Sequence, residues 1–144
     1  MANDSSYDLL AAIDVLEHVR VEERFKFLKE LTRISRRYVL LNYPCKHTFK
    51  AQELVFRATG NSLVREHVEF ELPDTDQIIA QMSNLGFDCS YIAYGNLAVW
   101  LGQYLTLNLA PQIACDLNHY LVDNHSDEPF SVPLYHLVVC ERQF

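Results

Sequence analysis

SYDLLAAIDVLEHVRVEERFKFLKELTRI, residues Ser6 to Ile34, joins an apolar run to an acidic turn and then to a stretch with helical periodicity. The run Leu9-Leu10-Ala11-Ala12-Ile13 is continuous in apolar residues. A strand with one wet face alternates apolar and polar side chains, whereas a strand covered on both faces does not. Tyr7 to Ile13 therefore reads as a central parallel strand. From Val21 the apolar positions Val21, Phe25, Leu28, Leu31 and Ile34 recur at helical spacing. Glu22 and Glu23 put negative charge at the positive end of that helix dipole. The helix is expected to lay one face on the sheet. No glycine-rich loop precedes the strand in this sequence.

Working outward, Arg37 to Tyr43 is a second strand, ended by Pro44, which cannot donate to a ladder and steers Tyr43 to an extended conformation. Phe49 to Ala58 is a weaker helix closed by Thr59-Gly60-Asn61. Asp74 followed by Gln77 resembles a capping-box start. Ile78, Ile79, Met82 and Leu85 then supply an apolar face, with Gly86 at the C-cap. Asp88 to Tyr94 and Leu134 to Glu141 read as third and fourth strands. Between them, Leu97 to Ala110 and Gln112 to Val122 read as helices broken at Pro111. The first is apolar almost all round, so it is expected to be covered on every side. Asn124 to Pro133 is a polar loop. This order gives an α/β class, half of a doubly wound fold, with a mixed sheet of about four strands, a terminal antiparallel strand and flanking helices.

A chain of 144 residues suffices for one domain burying roughly 70% of its unfolded surface. With 49% hydrophobic and 22% charged residues the composition is globular, and no apolar run is long enough to span a bilayer. The start Met1 to Ser6 lacks the basic flank and apolar run of a signal peptide. The net charge of -7 is uneven: eleven of the twelve Lys and Arg lie at or before Arg65. So acidic a C-terminal half repels a phosphate backbone, which argues against nucleic acid as a partner. The cluster Arg33, Arg36, Arg37, Lys46 and Lys50 reads as solvated surface rather than an anion site. Cys45, Cys89, Cys115 and Cys140 show no metal-site spacing. Cys89 and Cys140 lie in apolar runs and read as small core residues of a protein in a reducing cytoplasm.

Several features occur together in one order: Tyr7-Asp8 at the first strand, DVLEHV at Asp14 to Val19, the FLKELTRI helix, a strand ending in Tyr43-Pro44, EHVEFELP at Glu66 to Pro73, and NLGF at Asn84 to Phe87. The chain resembles the C-terminal half of class I S-adenosylmethionine-dependent methyltransferases. The resemblance implies strands four to seven of a Rossmann-like methyltransferase fold. Residues 1–144 would then be a single partial domain with a helical insertion over about 96–123. It also implies S-adenosylmethionine as cofactor and a small-molecule, lipid or glycan acceptor. The family's Gly-x-Gly loop and the acidic residue that ends its second strand have no counterpart here, so the chain alone is expected to lack activity.

Ligands of open α/β sheets bind beyond the carboxyl ends of the parallel strands, which places Ile13, Asp14 and Val15 at the crevice. The resemblance makes these the cofactor-binding residues, Glu17 and His18 the catalytic ones, and Tyr43, Glu66 and His67 the acceptor-lining ones. Methyl transfer from a sulfonium needs in-line placement, exclusion of water and sometimes a base, for which His18 is the candidate. No metal is expected: Asp14, Glu17 and His18 offer ligand types at i, i+3 and i+4, but three ligands from one segment leave an open site. His47, His119, His125 and His136 have no companions at ligand spacing and read as surface or packing residues. With no strand before Tyr7, its edge invites self-association or a complementing N-terminal half. The alternative function is a non-catalytic methyltransferase-like interaction module.

Overall fold

A computed structural model describes residues 4–143. The chain runs β1 (Tyr7–Ile13), α1 (Val21–Ile34), β2 (Ser35–Pro44), α2 (Phe49–Thr59), α3 (Ser62–Glu69), α4 (Thr75–Asn84), β3 (Phe87–Asn96), α5 (Leu97–Leu109), α6 (Pro111–His125) and β4 (Pro133–Arg142). Short 3-10 turns lie at Leu16–His18 and Lys46–Thr48. The sheet is four-stranded in the order β1-β2-β4-β3. β1 and β2 are parallel, and β4 is antiparallel to both β2 and β3, so β3 runs the same way as β1 and β2. The chain-terminal strand is the antiparallel one, as the sequence implies, and it inserts between β2 and β3.

Alternation along β2 and β4 sorts the core. Val39, Leu41 and Tyr43 face the same side as Val138 and Cys140, where Leu28 of α1 and Ile78 and Met82 of α4 pack on them. A second cluster joins Val55 of α2, Val64 of α3, Trp100 of α5 and Leu134. Asp74 caps α4, its Oδ1 accepting from the Gln77 N–H at 3.2 Å. Gly60, with φ of 67°, ends α2 in a left-handed conformation.

Three expectations are corrected. β1 is not covered on both faces: it is the sheet edge, with Tyr7, Leu9 and Ile13 about half exposed and Ala12 its one buried residue. Its continuous apolar run tells of surface that needs cover without supplying any. α5 is not enclosed either. It packs through Val99 and Trp100, while Leu107 and Leu109 remain exposed. Finally, Cys89 and Cys140 are directly opposed across β3 and β4 and form a disulfide, with Cα atoms 4.1 Å apart. Strand register sets that proximity, and spacing in sequence does not reveal it.

From the sequence no element is assigned to α3, whose last turn forms the start of the EHVEFELP segment. Asn61 is its N-cap, the side-chain oxygen accepting from the N–H groups of Leu63 and Val64. The basic cluster is a set of separate ion pairs: Arg36 with Asp8, Arg37 with Glu141, Lys46 with Asp74 and Lys50 with Glu53. Arg33 likewise bonds Glu30 and Asp4. Among the described residues no helix is long and apolar enough to cross a membrane.

The disulfide closes a sequence separation of 51 residues. Closing a loop of that size restricts the unfolded chain by up to about 4 kcal/mol in the chain-entropy account. Reduction, or a Cys89→Ala, Cys140→Ala double variant, should lower the urea midpoint by a corresponding amount. The midpoint under oxidising and reducing conditions checks this.

Candidate functional site

β1 ends at Ile13, and Asp14 turns the chain with a φ of 52°, a left-handed conformation that Asp tolerates better than most residues. The backbone N–H of Asp14 donates to the Asn42 carbonyl, and the Asn42 side-chain N–H donates to Asp14 Oδ1, both at 3.0 Å. Asn42 in turn accepts from the Tyr94 hydroxyl at 2.6 Å. Three strand ends are tied together at one rim of the sheet. Leu16 then drops into the core and anchors the 3-10 turn that carries Glu17 and His18.

Arg24 fixes that turn from below. Although charged, it is only 7% exposed. Its Nε donates to the Leu16 and Val19 carbonyls at 3.3 and 3.0 Å. Its terminal nitrogen reaches the Phe70 carbonyl at 2.9 Å and also the Glu71 carbonyl. One guanidinium thus clamps the turn after β1 to the loop that ends α3, its fork of donors spread over carbonyls of both segments. The clamp brings Glu66 and His67 of α3 against His18.

The side chains at this junction form an ordered network. His18 Nδ1 lies 2.7 Å from Glu66 Oε2, and since a carboxylate only accepts, the ring donates. The Thr48 hydroxyl donates to the Cys45 carbonyl at 2.7 Å, so it accepts from Gln52 Nε2 at 3.4 Å. That leaves Gln52 Oε1 facing His67 Nδ1 at 3.1 Å, which therefore carries its proton there. The two Nε2 atoms of His18 and His67 face each other at 3.4 Å. Burial pushes the Glu17 carboxyl up to about 7 and pushes His67 down to about 4, the nearby His18 adding to the latter.

A cavity of about 160 Å³ opens here, lined by Asp14, Glu17, His18, Gln52, His67 and the aromatic rings of Trp100, Tyr104 and Tyr135, among others. Ligand pockets for drug-sized molecules span roughly 300–1,000 Å³, so this one admits an ion or a small group but not a nucleoside. Asp14, Glu17, His18, Glu66 and His67 therefore meet in one place. Ile13 and Val15 are exposed on the rim outside the cavity. Tyr43 does not join them. Strand alternation sends it to the opposite face, fully buried, where its hydroxyl donates to Thr75 Oγ1 at 3.2 Å and burial pushes its phenol up to about 12.

Sequence reasoning missed Arg24, Gln52 and Asn42. Arg24 looked like one more charge on an amphipathic helix, and only its place in the first turn behind DVLEHV hinted at a carbonyl clamp. A separate cavity of about 390 Å³ lies on the other side of β2, lined by Cys45, Lys46, His47, Asp74, Thr75, Asp76, Tyr91 and His136. There His136 Nδ1 lies 2.7 Å from Thr75 Oγ1, and His47 Nδ1 lies 3.6 Å from Cys45 Sγ.

No protein-family model matches the sequence, and no curated protein does. The fold is similar to the crystal structure of a SAM dependent methyltransferase from Archaeoglobus fulgidus, with a TM-score of 0.58 and 11% sequence identity. The similarity covers 98% of this chain and 62% of that one. It shows a methyltransferase-like α/β fold, the mixed four-stranded sheet with flanking helices described above.

Arg24→Leu would remove the guanidinium donor shared by the Val19, Phe70 and Glu71 carbonyls and one of the two donors serving the Leu16 carbonyl. The expected loss is about 3 kcal/mol, at the upper end for hydrogen bonds to a charged group. Urea denaturation of the variant measures it, and an effect within error of zero would show that the clamp holds nothing.

Proposed function

We propose that this chain is the acceptor-side portion of an S-adenosylmethionine-dependent methyltransferase, corresponding to strands four to seven of that fold. The observation that carries the proposal is the strand arrangement β1-β2-β4-β3 with its antiparallel β4, joined to a polar turn at the carboxyl end of β1. In an open α/β sheet the ligand crevice lies beyond those carboxyl ends, where Asp14 to His18 stand. Asp14, Ile13 and Val15 would border the methyl donor. Glu17 and His18 would position the acceptor and relieve it of its proton, with Glu66 and His67 beside them. The small cavity suits the reacting end of an acceptor, whether small molecule, lipid or glycan.

The residues present fit only part of the cofactor. A cavity of about 160 Å³ cannot enclose adenosylmethionine, and no Gly-x-Gly loop occurs among the four glycines, Gly60, Gly86, Gly95 and Gly102. The cofactor, when bound, supplies the electrophilic methyl group. This chain's residues would wall one side of it, with the opposite side contributed by elements paired to the free edge of β1. Half-exposed Tyr7, Leu9 and Ile13 on that edge favour such a complementing half or self-association through the strand. The same exposed edge favours the second reading, a methyltransferase-like interaction module without catalysis.

Amide chemical-shift mapping of the chain with S-adenosylhomocysteine tests the first reading. The expected result is weak, millimolar-range binding with shifts confined to Ile13 to His18 and their neighbours on α3. Shifts elsewhere, or none at millimolar ligand, would leave the interaction module. Sedimentation velocity tests the edge: concentration-dependent association is expected, weakened by Leu9→Lys. A monomer at every concentration would remove the pairing proposal.

A further inference from the structure

Glu17, His18 and His67 bring one carboxylate oxygen and two imidazole nitrogens within 4.8 Å of one another. Both rings have their Nδ1 protons committed to outer acceptors, Glu66 for His18 and Gln52 for His67. Their Nε2 atoms are thereby turned toward each other at 3.4 Å. Glu17 joins them from the turn. The residue is 1% exposed, and its Oε2 has no hydrogen-bond partner among the described residues. A buried carboxylate oxygen without a donor is costly, and the carboxylate that carries it stands beside the two imidazole rings. With the carboxyl ionised and both rings protonated at Nδ1, three lone-pair atoms converge at this point.

We propose that Glu17, His18 and His67 form a three-ligand site for a divalent first-row transition ion, open toward the crevice. At bonds of about 2.0–2.1 Å, two nitrogens on a tetrahedral ion lie roughly 3.4 Å apart. The observed Nε2 to Nε2 separation of 3.4 Å matches without ring movement. Two imidazoles with one carboxylate favour Zn²⁺, Mn²⁺ or Fe²⁺ over Mg²⁺ and Ca²⁺, which prefer all-oxygen shells. Glu66 and Gln52 are the outer acceptors that hold ligating rings in orientation. The set differs from the one the sequence suggested: Asp14 is turned to Asn42, and His67 arrives from α3, 49 residues beyond His18.

Three protein ligands leave a position for water or a substrate oxygen on the cavity side. An ion there would hold an acceptor hydroxyl and lower its pKa, so that its proton leaves to solvent before the oxygen meets a methyl donor. That role takes the place of direct proton removal by Glu17 and His18 and, unlike the site itself, rests on the methyltransferase reading.

The test uses the full chain, stripped with a chelator and titrated with Co²⁺ in absorbance and Zn²⁺ in calorimetry. One ion per chain is expected, with d–d bands typical of nitrogen and oxygen ligands and no thiolate charge-transfer band. Glu17→Gln and His67→Gln should each weaken binding at least 100-fold, and Glu66→Gln by about 10- to 100-fold. Because a buried variant can misfold, imidazole ¹⁵N shifts of His18 and His67 on adding Zn²⁺ to the unaltered chain give a second readout. Absence of binding overturns the proposal, as does binding that survives His67→Gln in a folded variant or that depends on Cys45 or Cys115. Ion binding without any S-adenosylhomocysteine response would sustain this site and remove the methyltransferase reading. The converse result would overturn the ion site alone.

Discussion

The guanidinium of Arg24 is the constraint on which the functional end of this molecule depends. Two backbone segments approach each other there, the turn after β1 and the loop after α3, and both present carbonyls inward. Close approach of like dipoles is unfavourable unless a cation lies between them, and Arg24 supplies a buried one with donors on both sides. The desolvation of that cation is offset by the carbonyls it satisfies. Glu17 and His18 ride on one clamped segment, Glu66 and His67 on the other. Their meeting follows from a residue that touches none of the cavity.

The sheet supplies the platform. A parallel pair followed by an antiparallel insertion gathers the ends of β1, β2 and β3 and the start of β4 along one rim. The Asp14, Asn42 and Tyr94 hydrogen bonds record that gathering. Exposed apolar residues on β1 are the reverse side of the same design. A strand so rich in leucine and alanine is stable as a central strand, and as an edge it leaves both its hydrogen-bonding groups and its apolar face available.

Much of this was legible in the sequence, and the gaps have physical reasons. The strand from Tyr7, the helix from Val21 and the capped helix from Asp74 carry strong period and cap signals, so their existence and class could be read directly. Asp14 was singled out because it ends an apolar strand where α/β sheets bind ligands, Glu17 and His18 because the family resemblance pointed to them, and the structure places all three at one cavity. His67 and Glu66 were reached only through family resemblance, since their helix is eight residues long and its Asn61 cap was hidden behind Thr59-Gly60. Tyr43 was misplaced by one position of strand alternation, a choice that side-chain period fixes but sequence cannot phase. The Cys89 to Cys140 bond depends on the register of two strands 51 residues apart and left no local trace.

The central claim is that two distant segments are locked so that His18 and His67 each spend their Nδ1 proton on an outer acceptor. Long-range ¹H–¹⁵N correlation of the imidazole rings in the metal-free chain near neutral pH reads this directly. The account predicts Nδ1–H on both rings and a bare Nε2 on His67. A proton on His67 Nε2, with Nδ1 bare, would contradict it.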